Sequence, residues 1–297
     1  MNQLTLSAPA KINLTLDILG ARPDGYHEME MVMQSVSLCD EVTLHLGFPG
    51  GVRAESGLRF LPNDKSNLAV AAALAARQAP GQTRKGQRIS PTKRIPVCAG
   101  TAGGSSDAAA VLRGLNTLTG AGLSPQALAK IGEEVGSDVP YCVLGGTALA
   151  QGRGETLSPL PPLPDCFLVL CKPRFSISTP ALFRTWDKAK RHLRPDTRGV
   201  IAALERGDLV SLAQRMFNVF EAVLPPHQHR DIEGIKTTLL QAGALGAAMS
   251  GSGPTVFGLF PQKAAARKAV TVLQEDYDEV YLTQPLPAHG ASCQIPV

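Results

Sequence analysis

"AGTAGGSSDAAAVL" spans residues 99–112. Three glycines, Gly100, Gly103 and Gly104, lead through Ser105, Ser106 and Asp107 into an apolar stretch with helical spacing. Ala108, Val111, Leu112, Leu115 and Leu118 form one stripe, which predicts a helix from about Ser105 to Thr119. The first turn of a helix carries unpaired N–H groups and partial positive charge. Glycines let a phosphate approach that backbone closely. The stretch therefore reads either as an anion cradle or as a flexible turn with a serine cap. No Gly-Lys-Ser/Thr follows and no G-x-G-x-x-G is present, so it is neither a P-loop nor a dinucleotide fingerprint.

The chain around it has 297 residues, 44% hydrophobic and 18% charged, which predicts a globular protein long enough for two domains. The longest apolar run, Leu68–Ala76, is too short to span a bilayer. The start, "MNQLTLSAPAK", lacks the basic and apolar regions of a signal peptide, so a cytoplasmic protein without membrane contact is expected. A net charge of +4 without a basic tract permits an anionic ligand and gives no support for nucleic-acid binding. None of the six cysteines, Cys39, Cys98, Cys142, Cys166, Cys171 and Cys293, falls in a C-x-x-C pair, which predicts reduced structural thiols and no metal site.

Residues 4–18 alternate, with Leu4, Leu6, Ala8, Ala10, Ile12, Leu14, Leu16 and Ile18 apolar. This predicts a half-buried strand interrupted at Pro9, with Lys11 and Asn13 together on the face away from the core. Pro23-Asp24-Gly25 marks a turn, Val42–Leu46 a second strand and Ser66–Gln78 a helix. Ser124-Pro125 opens a helix expected to stop at Gly136. Four prolines within 157–165 mark an extended crossover and the domain boundary, giving 1–158 and 159–297. In the second part, 166–171 and 279–284 read as strands. Helices are expected near 180–191, 199–205, 208–222, 231–243 and 262–275, and the tail from about 286 reads as loose. The fold class is α+β in two halves.

Several residues could carry chemistry. Asp138, past a helix end with Val139 held extended by Pro140, is either a fixed base or a turn aspartate. Lys11 is either functional or a solvated edge lysine. Tyr26, His27 and Phe183 could stack on a base or pack in the core. His227 and His229 read as loop, and 251–255 as a second anion nest or a tight turn.

Together, "PAKINLTLDILGARPDGYHEME", "IPVCAGTAGGSSDAAAVLRGLN", "GSDVPY" and "MSGSGPTVFGLF" resemble, in order, the motifs of the 4-diphosphocytidyl-2-C-methyl-D-erythritol kinase family of the GHMP kinase superfamily. The resemblance covers about residues 5–285. It implies an N-terminal domain like the ribosomal protein S5 domain 2 fold and a ferredoxin-like C-terminal domain. It also implies ATP-dependent phosphorylation of the substrate's 2-hydroxyl in the non-mevalonate (MEP) isoprenoid route. The rival expectations are another small-molecule kinase of the superfamily, or a silent nucleotide- or RNA-binding module on its fold.

By the same resemblance, Asp138 takes the proton from the hydroxyl and Lys11 steadies carboxylate and phosphoryl group. Asn13 contacts substrate. Tyr26 and Phe183 sandwich the cytosine, whose edge His27 reads. Asn67 and Pro96 lie near the adenine. Ala99, Gly100, Thr101, Ala102, Gly103, Gly104, Ser105 and Ser106 wrap the ATP phosphates. Mg²⁺ is expected mainly through the nucleotide, with Ser106 as its one candidate protein ligand. The implied partner is a small molecule, and the resemblance is silent on oligomeric state. The chain departs from the family pattern at Thr101, where leucine is usual. It departs also in 83–94, where Gln87, Ser90 and Pro91 weaken an expected strand, and in "NVFEAVL" (218–224), which replaces two residues of an Asn-Asp-Leu-Glu segment.

Overall fold

The computed structural model describes residues 2–49, 51–58, 61–79, 81, 85–189 and 193–288. Two compact units share the chain. One comprises Met1–Ala10, Cys39–Val97 and Ala102–Gly145, the other Lys11–Leu38, Cys98–Thr101 and Gly146–Val297. They interleave in sequence because two long strands, β1 (Gln3–Ala21) and β2 (His27–Leu46), contribute to both.

The first unit adds β3 (Val52–Ala54), α1 (Leu68–Ala76), β4 (Gln87–Thr92), α2 (Gly103–Thr119), α3 (Pro125–Glu133) and α4 (Val139–Leu144). β4 pairs antiparallel with the end of β2, from Glu41↔Thr92 to Leu46↔Gln87, and parallel with β3. Thus 87–92 is a strand despite Pro91, while 82–84 lie outside the described residues. α1 and α2 pack on each other, and both carry buried alanines, whose small side chains allow close approach. α2 is also pressed onto the sheet. A Cβ at Gly114 would fall 2.4 Å from Leu44 Cδ1 and 2.6 Å from Leu6 Cδ1, so a larger residue there would have to push both leucine side chains aside.

The second unit adds β5 (Thr147–Gly152), β6 (Thr156–Pro159), β7 (Phe167–Lys172), α5 (Thr179–Lys188), α6 (Thr197–Glu205), α7 (Leu209–Ala213), β8 (Phe217–Asn218), a 3-10 turn over Val219–Val223, α8 (Pro226–Gln241), β9 (Gly246–Met249), β10 (Val256–Phe260), α9 (Lys263–Leu273) and β11 (Glu279–Thr283). β5 pairs antiparallel with the start of β2, and β8 pairs parallel with β1 through Thr15↔Phe217. A separate antiparallel sheet runs β11-β7-β10-β9, with α8 and α9 packed on it. Counting β7, β9, β10 and β11 as first to fourth, this is the 4-1-3-2 order of a ferredoxin-like domain.

Several expectations are corrected. Pro9 does not interrupt β1. The N–H groups of Lys11 and Asn13, of the same parity, donate to loop acceptors and not to a strand, so the missing donor of Pro9 falls on that side. Lys11 and Asn13 do share a face, but it is not solvated: β1 is buried on both faces from Ala8 to Ile18. β2 begins at His27, well before Val42. α2 starts at Gly103, so both glycines join its first turn. α3 ends at Glu133, and Gly136 is not its stop. Val139 is helical, because Pro140 sits in the first turn of α4, where proline needs no N–H partner. Residues 208–222 hold a short helix, a strand and a 3-10 turn, and His227 and His229 lie on α8. Leu286 is tied to Ser35 by backbone bonding and accepts from Gln34 Nε2 at 2.9 Å, while 289–297 lie outside the described residues.

Among the described residues no helix is long and apolar enough to cross a membrane. The five described cysteines are free, and burial pushes the Cys166 and Cys171 thiols up to about 12, as inert structural thiols require.

Candidate active site

Residues 98–102 make a strained loop that leads into α2. Cys98 and Ala102 hold positive φ values of 53° and 56° without being glycine. Such residues cost about 1–3 kcal/mol each and cluster at functional sites. Gly100, at φ 77°, passes so close to Ser250 that a Cβ would fall 2.1 Å from its carbonyl oxygen. The loop's first residues are held from 250–255: Thr255 N donates to Ala99 O at 3.3 Å, and Ser250 Oγ to Gly100 O at 3.0 Å.

No side chain caps α2 at Ala102, so its first N–H groups lack an acceptor from this source. Gly104 is exposed. Of the two serines, Ser106 is fully buried and donates Oγ to Pro9 O at 2.5 Å. Its hydroxyl is thus engaged away from solvent, which weighs against Ser106 as a metal ligand. Thr101 is buried, and its Oγ1 has no hydrogen-bond partner.

Strand β1 carries two buried charged residues of the second unit, Lys11 and Asp17. Lys11, 4% exposed, donates Nζ to Asn13 Oδ1 at 2.7 Å. Asn13 Nδ2 rests on Met31 Sδ at 3.3 Å, and Asn13 N donates to Ser250 Oγ at 3.3 Å. Lys11 N donates to Thr101 O at 3.2 Å. The first and third glycine-bearing segments therefore meet β1 through hydrogen bonds. Within the first unit, Asp138 is the N-cap residue of α4 and half-buried. Its carbonyl accepts from Cys142 N at 3.0 Å, and its carboxylate does not cap the helix. Asn67 caps α1 through Ala69 N at 3.0 Å, and Pro96 is buried.

At the other end of β1, the Arg22–Tyr26 turn closes through Asp24 Oδ1, which accepts from Tyr26 N at 3.1 Å. Tyr26 is 54% exposed, which removes the core-packing reading, and Arg153 lies over its ring at 5.0 Å. His27 stacks on Phe183 at 4.5 Å, and Phe183 meets Phe220 edge-on at 5.0 Å.

A charged cluster lies beneath α2 in the first unit. Lys93 Nζ bridges Asp40 and Asp107, at 2.7 Å from the latter, and Asp40 Oδ1 also accepts from Arg94 N and Ile95 N. Burial, together with the Asp40 charge, pushes the Asp107 carboxyl up to about 7 against the pull of Lys93.

Sequence comparisons match the family described as GHMP kinases N terminal domain over residues 67–146, and GHMP kinases C terminal over 200–279. A 4-diphosphocytidyl-2-C-methyl-D-erythritol kinase of Moorella thermoacetica is 45% identical over 289 residues, covering 96% of this chain and 100% of that protein. The chain belongs to the 4-diphosphocytidyl-2-C-methyl-D-erythritol kinase family. A second member, from Alkaliphilus metalliredigens, is 44% identical over 96% of this chain and 97% of its own length. The crystal structure of a 4-(cytidine 5'-diphospho)-2C-methyl-D-erythritol kinase superposes with a TM-score of 0.79 at 31% identity, covering 95% of this chain and 99% of that one.

Within this kinase family's fold, the structure adds residues that sequence reasoning did not single out. Asn218, buried, donates Nδ2 to Met249 O at 2.8 Å and to Gly251 O at 2.7 Å. Glu221 Oε1 accepts from Met249 N at 2.8 Å, and its other oxygen pairs with Lys236. The two brace the backbone on either side of Ser250. Their only signal in the sequence was the partial match of "NVFEAVL".

Proposed function

We propose that the chain transfers the γ-phosphoryl group of ATP to the 2-hydroxyl of 4-diphosphocytidyl-2-C-methyl-D-erythritol, a step of the MEP isoprenoid route. One observation supports this most: the strand bearing Lys11 and Asn13 is bonded to Thr101 O and Ser250 Oγ, and Ser250 in turn holds Gly100. The acceptor-side strand and the phosphate-side loop are thereby built as one piece, as in-line transfer requires.

In this reading the open N-terminus of α2 receives the phosphates through the N–H groups of Gly103, Gly104 and Ser105. Asp138 accepts the proton of the hydroxyl, and Lys11, oriented by Asn13, stabilises the charge on the transferring oxygens. Tyr26 and Phe183 bind the pyrimidine, and His27 reads its edge. Mg²⁺ bound with the nucleotide would neutralise phosphate charge. The uncapped first turn of α2 fits a metal carried in this way, since its N–H groups would hold the phosphates that hold the ion.

A single-turnover assay with γ-labelled ATP and a panel of the cytidine diphosphate compound, mevalonate and homoserine tests this. Label transfer to the first compound is expected. Transfer to mevalonate or homoserine in its place, or to none, overturns it.

A further inference from the structure

α5 carries Phe183, Trp186 and Asp187 at i, i+3 and i+4, so the three side chains share one helix face. That face surrounds a single imidazole. His27, the first residue of β2, stacks on Phe183 with centroids 4.5 Å apart and planes at 20°, and meets Trp186 edge-on at 6.0 Å. Its Nε2 lies 2.8 Å from Asp187 Oδ1. The strand fixes the root of the side chain, the stack fixes the ring plane, and the carboxylate fixes rotation within that plane.

This last contact has a chemical consequence. A carboxylate accepts and does not donate, so Nε2 holds the proton, and in the neutral ring Nδ1 keeps its lone pair. Among the described residues Nδ1 makes no hydrogen bond, and it is not a buried orphan. The His27 side chain is 12% exposed and that of Asp187 46%. A pair so open to solvent on one side adds little to stability. What it does determine is which nitrogen offers a lone pair.

We propose that Asp187 is a positioning residue that sets the base preference of the site. The proposal rests on the reading above, that the pyrimidine binds at Tyr26, His27 and Phe183. An acceptor at Nδ1 pairs with an exocyclic amino group and opposes a carbonyl oxygen, whose lone pairs face its own. Cytosine carries the amino group where uracil carries the carbonyl. Asp187 thus favours a cytidine diphosphate over a uridine diphosphate without touching the base. Without the carboxylate, the ring takes both tautomers, and the Nδ1–H form donates to the uracil carbonyl.

The test measures kcat/KM for the cytidine diphosphate substrate and its uridine analogue in the parent, Asp187→Ala and Asp187→Glu. The parent is expected to prefer cytidine. Asp187→Ala should lose about tenfold of that preference, the worth of one hydrogen bond to the base edge, through KM for the cytidine compound and not KM for ATP. Asp187→Glu should recover most of it. An unchanged ratio in Asp187→Ala, or a parent without preference, overturns the proposal while leaving the kinase reading intact. A parent that phosphorylates neither compound overturns both. Nitrogen-15 NMR of His27 in the parent decides independently if the alanine variant does not fold: an Nε2–H tautomer supports the proposal, and Nδ1–H overturns it.

Discussion

Ser250 Oγ donates to the carbonyl oxygen of Gly100 at 3.0 Å, across 150 positions of sequence. The same hydroxyl receives the N–H of Asn13, so one buried atom sets the spacing of a strand and a glycine loop. Nothing can be inserted between Ser250 and Gly100, whereas the loop's far side has room.

That asymmetry predicts opposite behaviour from two glycines. Gly100→Ala places a methyl 2.1 Å from Ser250 O at a φ of 77°. The backbone alone costs about 1–2 kcal/mol, and the clash adds to it, so the variant should melt at a lower temperature. A Cβ at Gly104 meets Leu68 Cδ1 at an ordinary 3.5 Å, which gives Gly104→Val room for the first carbon of its side chain. It should melt like the parent yet bind ATP weakly by calorimetry. Parent-like ATP affinity in Gly104→Val would remove the loop from nucleotide binding.

Asp138→Asn keeps the shape and removes the basic oxygen. kcat should fall by about 10²–10⁴-fold, the usual worth of a positioned base, with both KM values nearly unchanged. Lys11→Ala should also slow turnover, and the double variant should be little slower than either single one, since groups acting as a unit are not additive. Steady-state kinetics on the three proteins decides it; near-parent kcat in Asp138→Asn rules the carboxylate out as base.

The Asp107 carboxyl gives a stability signature. Its folded value of about 7 lies above the unfolded 3.8, because burial and Asp40 disfavour the charge. The proton is therefore bound more tightly in the folded state. The contribution is complete below the unfolded value and is lost as pH rises through about 7. Parent stability relative to Asp107→Asn should decline from pH 5 to pH 7.5, by up to about 1.4 kcal/mol per pH unit, and then level off. Urea titrations of both proteins at several pH values measure this; a constant difference would mean that Asp107 titrates at its ordinary value.

Thr101 is buried, and its hydroxyl has no hydrogen-bond partner. An unsatisfied buried hydroxyl costs about 1–3 kcal/mol. Thr101→Val, of nearly equal volume, should raise the unfolding free energy by about 1 kcal/mol in the same titrations. A loss of stability would mean that the hydroxyl is satisfied after all.

The alternation of Leu4 to Ile18 revealed β1, and period two placed Lys11 beside Asn13, because both follow from the pleat alone. Burial of the second face of β1 was not legible, because alternation shows which residues share a face and not what packs on it. The first half of β2 was missed although Glu28, Glu30, Met29 and Met31 alternate, since methionine and glutamate carry little strand preference. Strands β7 and β11 and helix α9 were readable from apolar runs and helical spacing, whereas β9, a short run of Gly, Ala and Met, was not. The glycine-rich entry to α2 was legible from Gly100, Gly103 and Gly104, but the brace at Asn218 and the Asp187–His27 contact were not. Each depends on partners 31 to 160 positions away, which no local pattern encodes.

The parallel pairing of Thr15 with Phe217 has a consequence during synthesis. At about 5–20 residues per second, the partner strand emerges roughly 10–40 s after β1. The segments of the first unit are complete at Gly145, so that unit can form while translation continues. Ile12, Leu14, Leu16 and Ile18 meanwhile remain on a nascent strand whose β8 edge is still unmade. The sticky interval in this protein's birth therefore lies at its beginning, and it ends only when the last third of the chain arrives.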